Sequence, residues 1–149
     1  MLEIYVDGDA CPVKDEVLKV ALRHNLKVHM VSNTYLRVSA HPLVNPVVVA
    51  QGPDVADDWI VEHINEGDIA ITADILLADR CLKKQARVIG PTGKLFDEGS
   101  IGMAVAMRDL HAHLRDTGEI RGGASAFSKQ DRSRFLGALE HEIQALKRR

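Results

Sequence analysis

The chain has 149 residues, of which 46% are hydrophobic, and a formal net charge of −2, which is typical of one globular domain with a self-sufficient core. No apolar run approaches the roughly 20 residues of a membrane span, and no basic or apolar segment precedes the first strand, so we expect neither a membrane span nor a secretory signal. Cys11 and Cys81 lie far apart without zinc-type spacing, so we expect a reduced, cytoplasmic protein.

The first predicted element is a strand over residues 3–7 that runs directly into two carboxylates, Asp7 and Asp9, separated by Gly8. If the strand continued to Asp9, strand alternation would direct both carboxylates to the same side. A purely structural interpretation is that Asp9 caps the following helix and Asp7 is an ordinary acid at the end of a strand.

Helical and strand patterns then alternate along the chain. Helices are predicted over residues 12–24, 54–65, 75–85, 101–115 and 129–147, and strands over residues 27–31, 47–50, 68–72 and 87–89. Residues 90–99 are predicted to form a loop, and residues 118–125 a flexible linker. Five strands alternating with helices predict a doubly wound parallel α/β sheet. We predict a single domain over residues 1–149, with a C-terminal helical extension from about residue 100.

Acidic residues from three separate elements are expected at one edge of this sheet. Asp7 closes strand one and Asp74 follows strand four. In the strand order 3-2-1-4-5 these strands are neighbours where the winding reverses, which is the usual ligand crevice. Helix two begins at the same edge, and its helical wheel places Asp57 beside the apolar face. Asp58, on the far side of the wheel, is the weaker candidate.

Crowded carboxylates repel one another and raise each other's pKa, so this edge is expected to need a cation. Oxygen ligands without histidine or cysteine favour Mg²⁺ or Mn²⁺ over zinc. The predicted metal ligands are Asp7, Asp9, Asp57, Asp58 and Asp74. A cation held in this way can activate water and neutralise charge on a phosphoryl group.

Four stretches of the chain, in order, resemble the signatures of the uncharacterised bacterial YaiI/YqxD family. They read DGDACPVK from Asp7, GPDVADDW from Gly52, ITAD from Ile71 and FSKQDRSRF from Phe127. The resemblance covers nearly the whole chain. This family is grouped with the PIN-like superfamily of metal-dependent nucleases, whose sheet order is 3-2-1-4-5, so the resemblance implies a PIN-like fold.

The resemblance also implies an activity: hydrolysis of phosphodiesters, in RNA more than in DNA, by water that Mg²⁺ or Mn²⁺ activates. Asp7 matches the first acid of the PIN site, and Thr72 with Asp74 matches its threonine-x-aspartate. The implied catalytic residues are Asp7, Asp57, Thr72 and Asp74. Thr72 is expected to orient Asp74 by a hydrogen bond.

Two points of the resemblance stay open. Asp58 is an alternative to Asp57 as the helical acid, and a further late acid of PIN sites has only Asp79 and Asp97 as candidates. The chain departs from the family at residues 123–126, where GASA replaces a stretch that usually contains proline.

The charge of the chain is divided between its two parts. Residues 1–79 carry a balance of −8, and residues 80–149 a balance of +6, which suits a metal-binding cleft beside a surface for a polyanion. The candidates for phosphate contact are Lys14, Arg108, Arg132 and Arg134. For each of them, ordinary surface exposure or an internal ion pair is the alternative. Few aromatic residues predict little base stacking and little sequence readout.

Two other functions are compatible with the sequence. The first is a non-catalytic RNA- or nucleotide-binding module that keeps the acids for metal-stabilised folding. The second is a phosphohydrolase, because Asp7-x-Asp9 resembles the opening of haloacid-dehalogenase-type enzymes, although Cys11 stands where those enzymes have threonine or valine. A homodimer is compatible with each of these functions.

Overall fold

The computed structural model describes residues 2–34, 41–52, 54–116 and 127–148 as an α/β protein with a mostly parallel six-stranded sheet. The strands are β1 Ile4–Asp7, β2 Val28–Ser32, β3 Val44–Val48, β4 Ile69–Ile71, β5 Arg87–Ile89 and β6 Leu95–Phe96. The helices are α1 Lys14–Arg23, α2 Val55–His63, α3 Ile75–Lys83, α4 Glu98–Asp116 and α5 Lys129–Lys147, with a short 3₁₀ helix at Gly8–Ala10. Within these residues, no helix is long and apolar enough to cross a membrane.

The strand order is β3-β2-β1-β4-β5-β6. The first five strands are parallel, and β6 pairs antiparallel with β5. Because β1 lies between β2 and β4, the winding reverses beside it and the carboxyl ends of β1 and β4 are neighbours. The predicted adjacency of the first and fourth strands is therefore confirmed. The predicted count of five strands is wrong, since β6 lies in the segment that was expected to be a loop.

Helices cover both faces of the sheet, because successive residues of each buried strand point to opposite sides. On β1, Ile4 and Val6 pack with α1 and α5, whereas Tyr5 packs with α2 and α3. Helix α5 contributes the fully buried Phe135 and Leu139 to the first of these cores. Burying a side chain such as Phe135 contributes about 1.5–3 kcal/mol to stability. These two layers hold β1 and β4 in place, and with them the site at their carboxyl ends.

The third strand lies earlier in the chain than predicted, at residues 44–48 rather than 47–50. It is the edge strand of the sheet, so its burial alternates from the buried Val44 to the exposed Val48. An edge strand tolerates proline, since one side of it needs no ladder hydrogen bonds. Asn45-Pro46, which predicted a loop, is therefore part of the strand.

The first strand ends at Asp7, as predicted, so the condition under which Asp9 would share its direction is not met. Gly8–Ala10 turns into the 3₁₀ helix instead, so strand alternation does not apply to Asp9. Helix α1 then begins at Lys14, two residues after the predicted start, and its N-cap residue is Val13. Asp9 is consequently not the cap of this helix either.

The later helices are predicted more closely. The bounds of α5 and of β5 are confirmed, and Ser128 with Asp131 forms a capping box at the start of α5. Helix α4 begins at Glu98, three residues before the predicted start. The predicted linker at residues 118–125 and the GASA stretch at residues 123–126 lie outside the described residues.

Candidate functional site

Thr72 joins the ends of the two central strands. It directly follows β4 and is 2% exposed. Its Oγ1 donates a hydrogen bond to Oδ2 of Asp7 (3.0 Å), and it accepts one from the backbone N–H of Asp74 (3.0 Å). The expected hydrogen bond between Thr72 and Asp74 is present and involves the backbone N–H of Asp74, while the Thr72 hydroxyl proton is directed to the carboxylate of Asp7.

Asp74 is fixed by the helix that follows it. Its Oδ1 accepts hydrogen bonds from the backbone N–H groups of Leu76 (2.9 Å) and Leu77 (3.2 Å), which makes Asp74 the N-cap of α3. A capping carboxylate compensates unpaired N–H groups and the helix dipole. Asp74 therefore has a structural role whether or not it binds a ligand.

A narrow cleft of about 170 Å³ opens where β1, β4 and β5 end, with six lining residues: Asp7, Cys11, Thr72, Ala73, Asp74 and Pro91. It lies at the reversal point of the sheet, where open α/β sheets bind ligands. Burial raises the pKa of the Cys11 thiol. Cys11 is therefore a protonated wall residue and not a thiolate nucleophile.

A larger cavity of about 520 Å³ opens at the opposite edge of the sheet, beside Glu3 and Asp68. The carboxylate of Asp68 is already occupied there, because its two oxygens accept hydrogen bonds from the backbone N–H groups of Glu3 and Asn65, each at 2.9 Å. These bonds hold neighbouring chain segments together, so Asp68 has a structural role. The larger volume therefore does not make this cavity the better candidate for a functional site.

The acids of the three elements share one electrostatic environment. Burial, followed by the charges of Asp7, Asp74 and Asp54, raises the pKa of Asp57 to about 6, and Arg80 opposes this shift. Burial also raises the pKa of Asp7, with further contributions from Asp74 and Asp9, against the lowering effect of the Thr72 hydrogen bond. Negative charge therefore accumulates around the cleft, and Arg80 offsets it only in part.

Asp58 faces away from this accumulation of charge. It is exposed, and its Oδ1 lies 2.9 Å from the guanidinium of Arg80 on α3. Asp57, the preceding residue of the same helix, is half-buried. Of the two candidates for the helical acid, Asp57 is the one that shares the environment of Asp7 and Asp74.

Asp9 is directed to the end of β2 rather than into the cleft. Its carboxylate accepts hydrogen bonds from the Ser32 hydroxyl and from the backbone N–H of Asn33 (3.1 Å to Oδ2). The predicted five-acid ligand set is not assembled: among the described residues, no group of three or more His, Cys, Asp or Glu side chains could hold a metal ion. The two candidates for a late acid are also engaged elsewhere, since Asp79 pairs with Lys83 and Asp97 accepts from the backbone of Ser100.

The predicted phosphate contacts are mostly engaged within the protein. The ammonium group of Lys14 donates to the carbonyl oxygen of Cys11 (2.7 Å), and Arg132 pairs with Glu16 (2.6 Å). Arg134 is the least committed, because it is 66% exposed and lies 3.6 Å from Asp131. Arg108 falls within α4, but its side chain lies outside the described part of the chain.

The loop after β5 connects the cleft to α5, and the sequence analysis missed this connection. Pro91 lines the cleft, while Gly93, at φ +91°, packs against the backbone of Arg134 so closely that a Cβ would lie 2.7 Å from its carbonyl carbon. The exposed Lys94 follows directly. The loop therefore joins the cleft to the part of α5 around Arg134, while the ammonium group of Lys94 lies over the ring of Phe96, 5.5 Å from its centroid. In the sequence, the turn residues of Gly90-Pro-Thr-Gly were the signal that could have indicated this loop.

Replacing Asp57 with asparagine is expected to stabilise the metal-free protein at pH 7 by about 1 kcal/mol, after allowing for solvent screening, or about 2–4 °C in Tm. The pKa of Asp57 is about 6 in the folded protein and about 3.9 when unfolded. Ionisation of Asp57 therefore lowers the stability increasingly between about pH 4 and pH 6. Above pH 6 the loss stays constant, and below pH 4 there is none.

Thermal unfolding between pH 4 and pH 8 measures this effect. The fall in Tm between pH 4 and pH 6 should be smaller in Asp57→Asn than in the unaltered protein. Asp58→Asn is the matched control, because it removes an exposed, paired acid from the neighbouring position and should keep the full pH dependence. A lower Tm for Asp57→Asn at pH 7 would contradict the crowding of charge at the cleft.

Comparison with known proteins places these residues in a family. The model described as "Uncharacterized BCR, YaiI/YqxD family" matches residues 5–145. The UPF0178 protein of Parvibaculum lavamentivorans is 60% identical over 149 residues, covering 100% of this chain and 98% of its own. That of Rhodospirillum rubrum is 58% identical over 148 residues, covering 99% of each chain. That of Agrobacterium fabrum is 57% identical over 146 residues, covering 98% of this chain and 95% of its own. No solved structure matches the chain.

Proposed function

Because this chain belongs to the YaiI/YqxD family, and its acidic motifs meet at the carboxyl edge of the sheet, we propose that it is a Mg²⁺- or Mn²⁺-dependent nuclease of PIN type. One observation carries the proposal: Asp7 and Asp74, which are 67 positions apart in the sequence, line one cleft at the carboxyl ends of β1 and β4, where Thr72 is hydrogen-bonded to both. The order of the five parallel strands supports the PIN-like assignment.

The donor set at the cleft fits a hard divalent cation. Asp7, Thr72 and Asp74 line it with oxygen atoms only, and the protonated Cys11 thiol is a poor ligand. Mg²⁺ keeps several of its waters and commonly binds through one or two carboxylates together with substrate phosphates. An open cleft with two carboxylates suits such binding better than a closed cage would. A cation bound there would supply positive charge for a phosphoryl group and acidify water.

The protein's own residues would then have separate roles. Thr72 keeps one oxygen of Asp7 engaged at 3.0 Å, so the carboxylate has a fixed direction for its other oxygen. Asp74 is held by the cap of α3. Asp57, on α2, does not line the cleft itself, but its negative charge adds to those of Asp7 and Asp74. Preorganisation of this kind lets charge act on a reacting group without further rearrangement.

The dimensions of the cleft favour a single strand as substrate. A volume of about 170 Å³ suits one phosphodiester group at a time, and a single strand can adapt its backbone to a narrow opening. Arg134, which is exposed and packs beside the loop that follows β5, is the candidate for contact with a neighbouring phosphate. The preference for RNA over DNA rests on the resemblance to PIN-type nucleases.

A non-catalytic RNA- or nucleotide-binding module is the second candidate. It is favoured by the absence, among the described residues, of three assembled ligands for a metal ion. The phosphohydrolase alternative has less support. Asp9, whose spacing from Asp7 motivated it, is hydrogen-bonded at the end of β2 and is not a lining residue of the cleft.

Incubation of the purified protein with labelled single-stranded RNA, with and without Mn²⁺, distinguishes these functions. The nuclease proposal predicts shortened products that require Mn²⁺ and disappear with excess chelator. Salt-sensitive binding of intact RNA without any turnover would favour the binding module. Hydrolysis of small phosphate monoesters, with RNA left intact, would favour the phosphohydrolase.

A further inference from the structure

Helix α2, which carries Asp57, is anchored by little buried surface. Of its nine residues, Val55–His63, only Ile60 is buried. Its N-cap residue, Asp54, has a φ of 65° and no side-chain cap hydrogen bond. A short helix has little stability of its own, so its position is set by tertiary contacts. The position of Asp57 therefore depends on what else holds α2 to the sheet.

Two stacked pairs of aromatic rings, one on the sheet and one on α2, contact each other. Tyr5 of β1 stacks on His29 of β2, with centroids 4.5 Å apart and planes at 18°. On the helix, Trp59 stacks on His63 at 3.8 Å and 17°. The indole of Trp59 meets the first pair in tilted geometry, at 6.1 Å from Tyr5 and 5.9 Å from His29. We refer to these four rings as the aromatic cluster.

The sheet half of the aromatic cluster is fixed by hydrogen bonds. The Nε2 of His29 lies 2.5 Å from a carboxylate oxygen of Glu3, and its Nδ1 lies 3.0 Å from the side-chain amide of Asn45. The hydroxyl of Tyr5 donates to the carbonyl oxygen of His63 at the end of α2 (3.0 Å). The rings on the sheet thus form a rigid surface on which the indole of Trp59 rests.

Two opposing influences act on Asp57 through this helix. The negative charges of Asp7 and Asp74 disfavour its carboxylate when no cation is present. A divalent cation in the cleft would turn this repulsion into attraction and draw Asp57 inward. Trp59 is two residues further along the same helix, so a tilt of α2 that moves Asp57 must also move the indole against Tyr5 and His29.

We infer that the aromatic cluster positions Asp57 over the cleft, which makes Trp59 a positioning residue whose surroundings change when a divalent cation binds. This inference rests on the proposed cation site. Contacts with α3, such as the ion pair between Arg80 and Asp58, hold the outer side of α2. On the sheet side, the buried Ile60 and the aromatic cluster hold α2.

The chain contains a single tryptophan, so intrinsic tryptophan fluorescence reports on this cluster alone. Titration of the full-length protein with Mg²⁺ is expected to change the emission of Trp59 saturably. The change should follow the binding curve measured by calorimetry on the same sample. In Asp7→Asn, which weakens the cation site without touching the cluster, the change should be lost.

A variant pair tests the positioning role directly. Trp59→Leu keeps an apolar side chain but removes the stack, and is expected to weaken Mg²⁺ binding in calorimetry by about tenfold, the usual scale for supporting residues of metal sites. Trp59→Phe retains a ring on His63 and should restore most of the affinity. Leu136→Ala, on the opposite face of the sheet, controls for a general loss of stability.

Three outcomes overturn the inference. Mg²⁺ binding with unchanged Trp59 fluorescence would overturn it and leave the proposed function standing. Equal weakening of Mg²⁺ binding in Leu136→Ala and Trp59→Leu at matched loss of Tm would do the same. Absence of any Mg²⁺ binding heat in the unaltered protein would overturn the proposed cation site and this inference together.

Discussion

Replacing Asp7 with asparagine is expected to lower the rate of Mn²⁺-dependent cleavage of single-stranded RNA by about a thousandfold, since loss of a cation's charge stabilisation is worth several kcal/mol and each 1.4 kcal/mol is tenfold in rate. The amide keeps the size of the side chain and can still accept the hydrogen bond from Thr72, whose Oγ1 lies 3.0 Å from Asp7 Oδ2. The change therefore removes the negative charge at the cleft while preserving its shape.

Asp58→Asn is the matched comparison for this experiment. Asp58 is an exposed acid, paired with Arg80 on the outer side of α2. We expect its cleavage rate to stay within about threefold of the unaltered protein, as is usual for exposed ion pairs of small energetic value. Cleavage that persists in Asp7→Asn would remove the proposed site, and a large loss in Asp58→Asn would reassign the helical acid.

Replacing Thr72 with valine is expected to lower the cleavage rate by about 10- to 100-fold and stability by about 1–3 kcal/mol. Valine has nearly the shape of threonine but leaves the backbone N–H of Asp74 without its acceptor and Asp7 without its donor. Because the hydrogen bond from Thr72 lowers the pKa of Asp7, its loss should move the acid limb of the pH–rate profile to higher pH.

Thr72→Ser separates the role of the hydroxyl from that of packing. Serine retains the donor and the acceptor and loses one buried methyl group, so its pH–rate profile should match that of the unaltered protein, with a stability loss of about 1 kcal/mol. If Thr72→Ser and Thr72→Val shift the profile equally, the hydroxyl does not act through Asp7, and its role is structural alone.

Elements with strong periodic patterns were predicted well from the sequence. Helix α5 has a long apolar stripe and a capping box at Ser128, and both of its bounds agree with the structure. Strand β5 is short but lies between a helix end and a turn, and its bounds also agree. In these segments, local preference and tertiary burial point to the same structure.

Elements whose structure depends on distant neighbours were predicted less well. β3 reads as a loop at Asn45-Pro46 because only its place at the edge of the sheet makes proline acceptable there. β6 has two residues, too few for a pattern, and exists because β5 offers it a partner. The first strand ends at Asp7 as predicted, but the 3₁₀ geometry of Gly8–Ala10, which directs Asp9 towards the end of β2, was not predicted.

The candidate site shows the same division. The strand order 3-2-1-4-5, which the family resemblance implies, placed Asp7 and Asp74 at the ends of neighbouring strands, and helical spacing favoured Asp57 over Asp58. Hydrogen-bond partners could not be deduced in this way. The bond from Thr72 to Asp7 spans 65 positions of sequence, and the bonds of Asp9 to Ser32 and Asn33 depend on the turn before α1.

The acids at the cleft lower the stability of the metal-free protein, which a purely structural role for them does not explain. Burial and mutual repulsion raise the pKa values of Asp7 and Asp57, so both carboxylates lower stability at neutral pH in the absence of a cation. Uncompensated charge of this kind is typical of functional sites, where activity is retained at the expense of stability.

Diffraction from crystals soaked in Mn²⁺, measured for the anomalous signal of the metal, tests the central claim most directly. We expect a peak in the cleft at the carboxyl ends of β1 and β4, within coordination distance of Asp7 and Asp74, with α2 shifted so that Asp57 lies closer to it. Full occupancy of Mn²⁺ elsewhere on the protein, with these three carboxylates unliganded, would contradict the account.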